Sequence, residues 1–380
     1  MRNHIAIVSE ESVLAGNYKC GIGEVVDCMA SALRKYYDVT IVTIGTCKGG
    51  RRGGTVTLGV EGDAFYVAAA EYVDKLKPDL VHIFGRPDFI GKMTVNCPMV
   101  LTFDRWEEDI ADYLDYVPHY DHVVTLSTAY ANEMIAAHPE AAAWPLKGII
   151  GAIDSGLYTS SDNRDVARAK VYHAIGKEDT GRKLIVCMGR LKPVKGTDLL
   201  IAEAEAIAAA GADLVVWGTG ETEYEEQLFA LHEAGVLTYH RRLCGYHEMI
   251  TAIQGADFYL TPSRSEVCGL QPMKAARMGC VPIVTPVGGM AENFDESMAI
   301  FITEGIADAV QRAVNLDDTA YASMKENCLN GEWTWDTRIL PWVELYGLPT
   351  APREASTLFA QGTERASRPC PFTRKEVTNA

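Results

Sequence analysis

The chain has 380 residues, of which 48% are hydrophobic, and it carries a formal net charge of −16 at pH 7. That length is enough for two domains, while the lack of a bilayer-length apolar run and of a basic patch excludes integral membrane proteins and nucleic-acid-binding proteins. Ten cysteines without a CxxC pair, and no signal-peptide pattern before the first strand, indicate reduced thiols in a cytoplasmic protein.

Short apolar runs alternate with amphipathic stretches in the first part of the chain. The amphipathic stretches predict helices over Val25–Tyr36 and Ala64–Leu76. The apolar runs predict strands over His4–Val8, Val39–Ile44, Leu80–Phe84, Met99–Phe103, His122–Leu126 and Lys147–Ile150. This alternation is typical of a parallel, doubly wound sheet covered by helices on both faces.

The same pattern starts again after a polar segment at 162–168. A helix is predicted over Asp198–Ala209, and strands over Leu184–Met188, Asp213–Trp217, Phe258–Leu260 and Val281–Val284. We therefore expect an α/β chain of two Rossmann-like domains, 1–163 and 164–335. Ligands of such sheets bind beyond the carboxyl ends of the strands, so the site is expected in the cleft between the domains.

A glycine-containing segment, Lys19–Val26, follows the first strand. Gly21 and Gly23 lie just before a helix predicted to open at Glu24, with Lys19 ahead of them. Glycines at this place let the backbone approach an anion at the helix N-terminus. A plain βα turn with an exposed lysine is the alternative interpretation.

The most informative stretch is Pro262–Gly289, which reads as loop, helix and strand. Glu266 precedes Cys268, Gly269 and Leu270 at the start of the helix. Free N–H groups at a helix N-terminus bind anions, and a neighbouring carboxylate binds hydroxyl groups. A sugar attached to a diphosphate requires both.

This stretch resembles the donor-binding segment of starch and glycogen synthases, which are retaining glycosyltransferases of the GT-B fold. The residues in register are Ser263, Arg264, Glu266, Cys268, Gly269, Leu270, Ala276, Arg277, Gly279, Pro282, Gly288 and Gly289. The resemblance implies that Glu266 holds a sugar hydroxyl and that no metal or other cofactor is needed. It also implies a C-terminal helix over 336–347 that crosses back to the first domain, followed by a mobile tail over 348–380.

Further motifs extend the resemblance. Arg190 and Lys195, in the run Gly189–Asp198, match the residues that grip the donor diphosphate in the family, and Lys19 matches a lysine that faces the phosphates. Gly218 begins a glycine loop that is similar to the one under the nucleotide. Tyr246 is expected to stack on the base, with a partly buried core tyrosine as the alternative.

Other positions depart from the family. Asp104 stands where a histidine contacts the donor sugar, and we assign it a role in holding a sugar hydroxyl or orienting the acceptor. An HDW motif is missing from the run Pro78–Arg86, and the asparagine of another family pattern is missing from Gly148–Asp154. Lys274 replaces a glutamate found in many related enzymes, and either meets a phosphate or points to solvent.

The resemblance implies transfer of a hexose, glucose first, from a nucleotide-diphosphate sugar to a glucan or a smaller acceptor. ADP-glucose is the first donor and UDP-glucose the second. The alternative is a nucleotide-sugar-binding regulatory or partner protein with little turnover. Residues 1–160 carry 13 Lys and Arg against 21 Asp and Glu, so no stable membrane association is expected. No nucleic-acid partner is expected either, and an oligomer is possible.

Overall fold

The computed structural model describes residues 2–12, 21–45, 50–52, 54–94, 96–103, 108–159, 163–242 and 244–350. Within them the chain forms two separate sheets. The predicted mobile tail therefore lies almost entirely outside the described residues.

The first sheet has the order β3-β4-β2-β1-β5-β6-β7-β8, and all neighbours are parallel except β3 and β4. Its strands are β1 (His4–Val8), β2 (Asp38–Thr43), β3 (Gly50–Arg52), β4 (Thr55–Thr57), β5 (Leu80–Phe84), β6 (Met99–Phe103), β7 (His122–Thr125) and β8 (Leu146–Gly148). The central strands β5 and β6 are buried at every residue, since helices cover both faces of a parallel sheet.

Among the described residues, three α-helices and three 3-10 helices accompany this sheet. The α-helices are α1 (Gly21–Leu33), α2 (Asp63–Leu76) and α3 (Thr128–Ala137); the 3-10 helices span Pro87–Lys92, Glu108–His119 and Pro139–Ala143. We call this sheet and its helices the first domain.

The second sheet has the order β11-β10-β9-β12-β13-β14 and is parallel throughout. Its strands are β9 (Lys183–Leu191), β10 (Ala212–Gly220), β11 (Thr238–His240), β12 (Phe258–Thr261), β13 (Val281–Val284) and β14 (Ile300–Phe301). The helices are α4 (Arg164–Ile175), α5 (Thr197–Ala209), α6 (Thr222–Glu233), α7 (Tyr246–Gly255), α8 (Leu270–Arg277), α9 (Gly289–Asn293), α10 (Ile306–Val314) and α11 (Asp318–Asn330), with a 3-10 turn over Pro193–Lys195. We call this unit the second domain.

Two parallel sheets with interleaved helices confirm the predicted fold class. Two local expectations were wrong. Helix α1 begins at Gly21 rather than at Glu24, and β9 and β10 continue to Leu191 and Gly220. The glycine run 218–220 therefore lies within a strand rather than a loop, because β9 and β10 stay paired along their whole length.

The last described helices pack against the first domain. Helices α12 (Trp335–Arg338) and α13 (Leu340–Tyr346) follow the second domain. Trp342 of α13 stacks on His82 of β5 with ring centroids 5.5 Å apart, and the Tyr346 hydroxyl lies 2.7 Å from His82 Nδ1. Among the described residues, every helix is too short or too polar to cross a bilayer.

Candidate functional site

A lysine and a glutamate meet at the carboxyl edge of the second sheet. Lys195 lies in the turn that follows β9, and Glu266 lies in the loop that follows β12, the neighbouring strand. Lys195 Nζ donates to Glu266 Oε2 at 2.5 Å, and the two side chains are 33% and 20% exposed. Ser263 Oγ donates to the same oxygen at 3.4 Å. The pair is therefore fixed yet still reachable from solvent.

A glycine and an arginine hold the two loops together. Gly196 has φ +68°, and a methyl group placed on it would lie 2.0 Å from the Pro262 carbonyl oxygen. Arg264 pairs with both oxygens of Asp198 at 2.6 Å, and its N–H donates to the Val194 carbonyl at 2.8 Å. Only glycine permits so close an approach, which places Lys195 beside Glu266.

The backbone of Glu266 is held from the opposite side. The Gly289 N–H donates to the Glu266 carbonyl at 2.9 Å, and a methyl group on Gly288 would lie 1.9 Å from the same oxygen. This explains the paired glycines of the Pro262–Gly289 stretch, because a side chain at Gly288 would displace the glutamate.

Two helix N-termini from different domains converge next to this pair. Gly269, at φ +80°, precedes α8, which begins at Leu270, and α1 begins at Gly21. A methyl group on Gly21 would lie 2.8 Å from Leu270 Cδ1, so the first residues of the two helices are in contact. Gly23 is buried in the first turn of α1. Both helix dipoles favour an anion at this point.

Arg190 and Gly218 lie on the neighbouring strands β9 and β10, whose residues 189–191 pair with 218–220. Arg190 is exposed, and within the described residues no carboxylate lies within ion-pair distance of it. A methyl group on Gly218 would lie 2.4 Å from the Gly189 carbonyl oxygen, so glycine is required there for strand packing. The guanidinium of Arg190 is available to an incoming anion.

Tyr246 is the first residue of α7 and is 41% exposed. Its ring packs against that of Tyr158, with the ring centroids 6.2 Å apart. Partial burial raises the pKa of Tyr246 to about 12, so it stays protonated at neutral pH. The ring of Tyr246 therefore contacts Tyr158 while part of the side chain remains open to solvent.

Cys268 is 4% exposed, and burial raises its pKa to about 12. A methyl group on Gly151, from the first domain, would lie 2.7 Å from the Cys268 sulfur. The thiol therefore packs between the domains, and only its main chain borders the start of α8.

Lys274 is the largest departure from the sequence-based expectations. It is 1% exposed, and its Nζ lies 2.7 Å from Glu24 Oε2 in the first turns of α1. Neither a phosphate contact nor a solvent-facing position fits this burial. Tyr158 completes the group, because its hydroxyl donates to Glu24 Oε1 at 2.9 Å. Glu24 lies in the Lys19–Val26 segment and Tyr158 in none of the motifs, and the sequence around neither residue indicates that it pairs with the other domain.

Two predicted site residues, Lys19 and Asp104, lie outside the described residues. Within the described part of the chain, no three His, Cys, Asp or Glu side chains come together as metal ligands.

Comparison with known proteins finds a family match within the second domain. Residues 182–316 match the model of the glycosyl transferases group 1. Glycogen synthase of Xanthomonas campestris pv. campestris (strain 8004) is 28% identical over 267 residues, which are 60% of this chain and 55% of that protein. Granule-bound starch synthase 1 of Solanum tuberosum is 31% identical over 268 residues, 59% of this chain and 43% of that protein. The chain spans about half the length of these relatives.

Solved structures show that the two domains together have a GT-B fold. The catalytic domain of Arabidopsis thaliana starch synthase IV, bound to ADP and acarbose, matches with a TM-score of 0.75 and 16% identity over 91% of this chain and 99% of that one. Anabaena HepE in complex with UDP and glucose matches with a TM-score of 0.68 and 14% identity over 91% of this chain and all of that one (100%). Both matches cover the two domains, which places the cleft between two Rossmann-like halves.

Proposed function

We propose that the protein is a retaining hexosyltransferase that moves glucose from a nucleotide-diphosphate sugar to a glucan or a smaller acceptor. The observation that carries the proposal is the Lys195–Glu266 pair, 2.5 Å apart, beside two converging helix N-termini. This corner combines a carboxylate for sugar hydroxyls with a cation and backbone amides for a diphosphate.

The chemistry follows from where charge develops. The bond between the sugar C1 and the diphosphate oxygen breaks, and its electron pair leaves with the diphosphate. The acceptor hydroxyl oxygen bonds to C1 on the same face, and its proton passes to the departing phosphate. Lys195, the exposed Arg190 and the N-termini of α1 and α8 stabilise the negative charge on the diphosphate, which is electrostatic catalysis worth several kcal/mol.

ADP-glucose is the first donor we propose, and UDP-glucose is the second. The starch synthase IV structure holds ADP and the HepE structures hold UDP, so neighbours of this fold support either base. Glycogen and starch synthases among the relatives support a glucan as acceptor, although this chain spans only half of their length. A smaller acceptor therefore belongs to the same proposal.

We test the proposal by incubating the full chain with ADP-glucose, UDP-glucose and other sugar nucleotides, each with and without maltooligosaccharides. Release of the nucleoside diphosphate and a mass increase of one hexose in the acceptor are expected. Binding of a donor without acceptor-dependent release would instead identify a nucleotide-sugar-binding regulatory protein. A reaction of equal rate with EDTA is expected, because the proposed charge stabilisation needs only protein groups.

The cytoplasm is the compartment that we propose for this reaction. The seven cysteines among the described residues are all free thiols, as a reducing compartment would keep them.

A further inference from the structure

The ion pair between Lys274 and Glu24 is buried between the two domains. The side chains are 2% and 11% exposed, and Nζ and Oε2 are 2.7 Å apart. Burying two charges offsets most of their attraction, so such a pair adds little stability. Removing one partner nevertheless leaves the other charge buried and uncompensated. The pair therefore acts mainly on how the two domains are aligned.

This ion pair lies one turn behind the candidate donor site. Glu24 comes three residues after Gly21, the start of α1, and Lys274 comes four residues after Leu270, the start of α8. At 1.5 Å per residue, both charged groups belong to the turn about 5 to 6 Å from the helix ends. Because the two helices belong to different domains, a displacement that separates the helix N-termini also breaks the ion pair.

Tyr158 connects the ion pair to Tyr246. Its ring is fully buried, 4.9 Å from Lys274 Nζ, and its hydroxyl donates to Glu24 Oε1 at 2.9 Å. The Tyr158 ring in turn packs against that of Tyr246, with the ring centroids 6.2 Å apart. Four side chains from α1, α8, α7 and the segment between the domains thus form one continuous chain of contacts.

We propose that Lys274 is a positioning residue for donor affinity, which acts through Glu24 and Tyr158 to fix Tyr246 against the base of a bound nucleotide. The inference rests on the proposed function, since it takes a nucleotide as the ligand of the cleft. Lys274 holds Glu24 in place, Glu24 holds the Tyr158 hydroxyl, and the Tyr158 ring packs against that of Tyr246. The ring of Tyr246 is then presented at a fixed angle.

The test is calorimetric titration of the full chain with ADP and with UDP. Lys274→Met and Tyr158→Phe should each raise the Kd of the better nucleotide at least tenfold. The double variant Glu24→Gln/Lys274→Met should stay within threefold of wild type, because glutamine still accepts from Tyr158 and no charge is stranded.

Lys35→Met is the matched control. It breaks the ion pair between Lys35 and Asp336, which also joins the α1 segment to the part of the chain after the second domain. That pair is about half exposed on both sides (52% and 51%) and lies beyond the opposite end of α1. Its loss should change the nucleotide Kd less than twofold.

The outcomes separate the two proposals. If the wild type binds a nucleotide and Tyr158→Phe, which removes a single oxygen, binds it equally well, this inference is wrong and the proposed function stands. A lower unfolding midpoint with unchanged Kd in Lys274→Met would assign the ion pair to stability alone and would also overturn it. A wild type that binds neither nucleotide would remove the proposed function and this inference together.

Discussion

Lys195 and Glu266 form an ion pair at the candidate donor site. Each neutralises the other before a donor arrives, and both remain partly exposed. Glu266→Gln should lower kcat at least a hundredfold, because an amide cannot hold a sugar hydroxyl as a charged acceptor does. Lys195→Ala should lower it by a similar factor, because a cation beside the leaving diphosphate is lost. Steady-state release of nucleoside diphosphate measures both effects.

The control for these variants is Arg312→Ala on α10. Arg312 pairs with Asp308 at 2.9 Å on an exposed face of the second domain. Its removal should leave kcat within twofold. Full turnover in both Glu266→Gln and Lys195→Ala would move the reaction to another part of the molecule.

His82 predicts a pH dependence of stability. It is fully buried between Tyr346 and Thr102, and burial lowers its pKa from 6.5 to about 3. In the unfolded chain it takes up a proton below about pH 6.5, whereas in the folded chain it stays neutral until about pH 3, so stability falls as the pH falls through this window. Between about pH 7.5 and pH 5.5, His82 should remove about 1.4 kcal/mol.

Urea denaturation of wild type and His82→Gln at both pH values measures this contribution of His82 to the free energy of unfolding. The variant is less stable at either pH, but it should lose about 1.4 kcal/mol less than wild type on acidification. An equal loss in the two proteins would contradict the assignment of the buried neutral histidine.

The surroundings of some single residues could be predicted from the sequence, and those of others could not. The positions of the glycines and of Glu266 in the Pro262–Gly289 stretch could be predicted, because each is required by neighbouring residues of the chain. The contacts of Lys274 could not be predicted. Its partner Glu24 is 250 residues away, and Tyr158 lies outside both the Lys19–Val26 and the Pro262–Gly289 segments. A burial that depends on how two domains meet leaves no local pattern.

The turn after β9 is the element that sets the position of Lys195. Gly196 and Gly176, the residue after α4, have nearly the same dihedral angles, φ 68° and ψ 25° against φ 67° and ψ 27°. They differ in surroundings: a methyl group on Gly196 would lie 2.0 Å from the Pro262 carbonyl oxygen, whereas one on Gly176 would have no atom within 4 Å.

This pair separates backbone strain from loop displacement. Gly176→Ala should cost about 1 kcal/mol, the strain of a left-handed alanine, and leave turnover unchanged. Gly196→Ala carries the same strain and must also push the Pro262 loop away, so it should lose more stability and at least tenfold in kcat/KM. Urea denaturation and donor kinetics measure the two effects. Equal losses of kcat/KM in the two variants would mean that the loop contact does not position Lys195.

At the scale of elements, every strand of four or more residues was predicted, although β9 and β10 were predicted too short, whereas most of the shorter strands were not predicted. The apolar runs at His4–Val8, Leu80–Phe84 and Met99–Phe103 match β1, β5 and β6 at both ends. Four strands were not predicted, namely β3, β4, β11 and β14, and each has only two or three residues. Such strands form because a neighbouring strand offers hydrogen bonds, which is information that their own residues do not carry.

At the scale of the whole molecule, hydrogen bonds join the two domains across the cleft, and each domain supplies donors as well as acceptors. Ser127 Oγ donates to the Val267 carbonyl at 2.7 Å, and Glu133 Oε1 accepts from the Gly288 N–H at 2.9 Å. These bonds tie α3 of the first domain to the loops that carry Glu266. The donor corner is therefore assembled from both domains, which a reading of either domain's motifs alone does not reveal.

We expect the stability of the first domain to depend on helix α13, which follows the second domain in the chain. Trp342 is fully buried against His82 of β5, whereas Leu340, on the same helix, is 57% exposed. Trp342→Ala should remove about 3 to 5 kcal/mol by opening a large cavity, and Leu340→Ala should change stability by less than about 0.5 kcal/mol.

Because the cavity would open beneath the first sheet, the loss should be local to that sheet. Hydrogen exchange followed by mass spectrometry should show faster exchange in β1 and β5 of Trp342→Ala, with the second sheet protected as in wild type. The free energy of local opening then reports directly on the docking of α13. Uniform acceleration over both sheets would mean that the two domains unfold as one unit, and protection of β5 equal to that in wild type would mean that α13 adds nothing to the first domain.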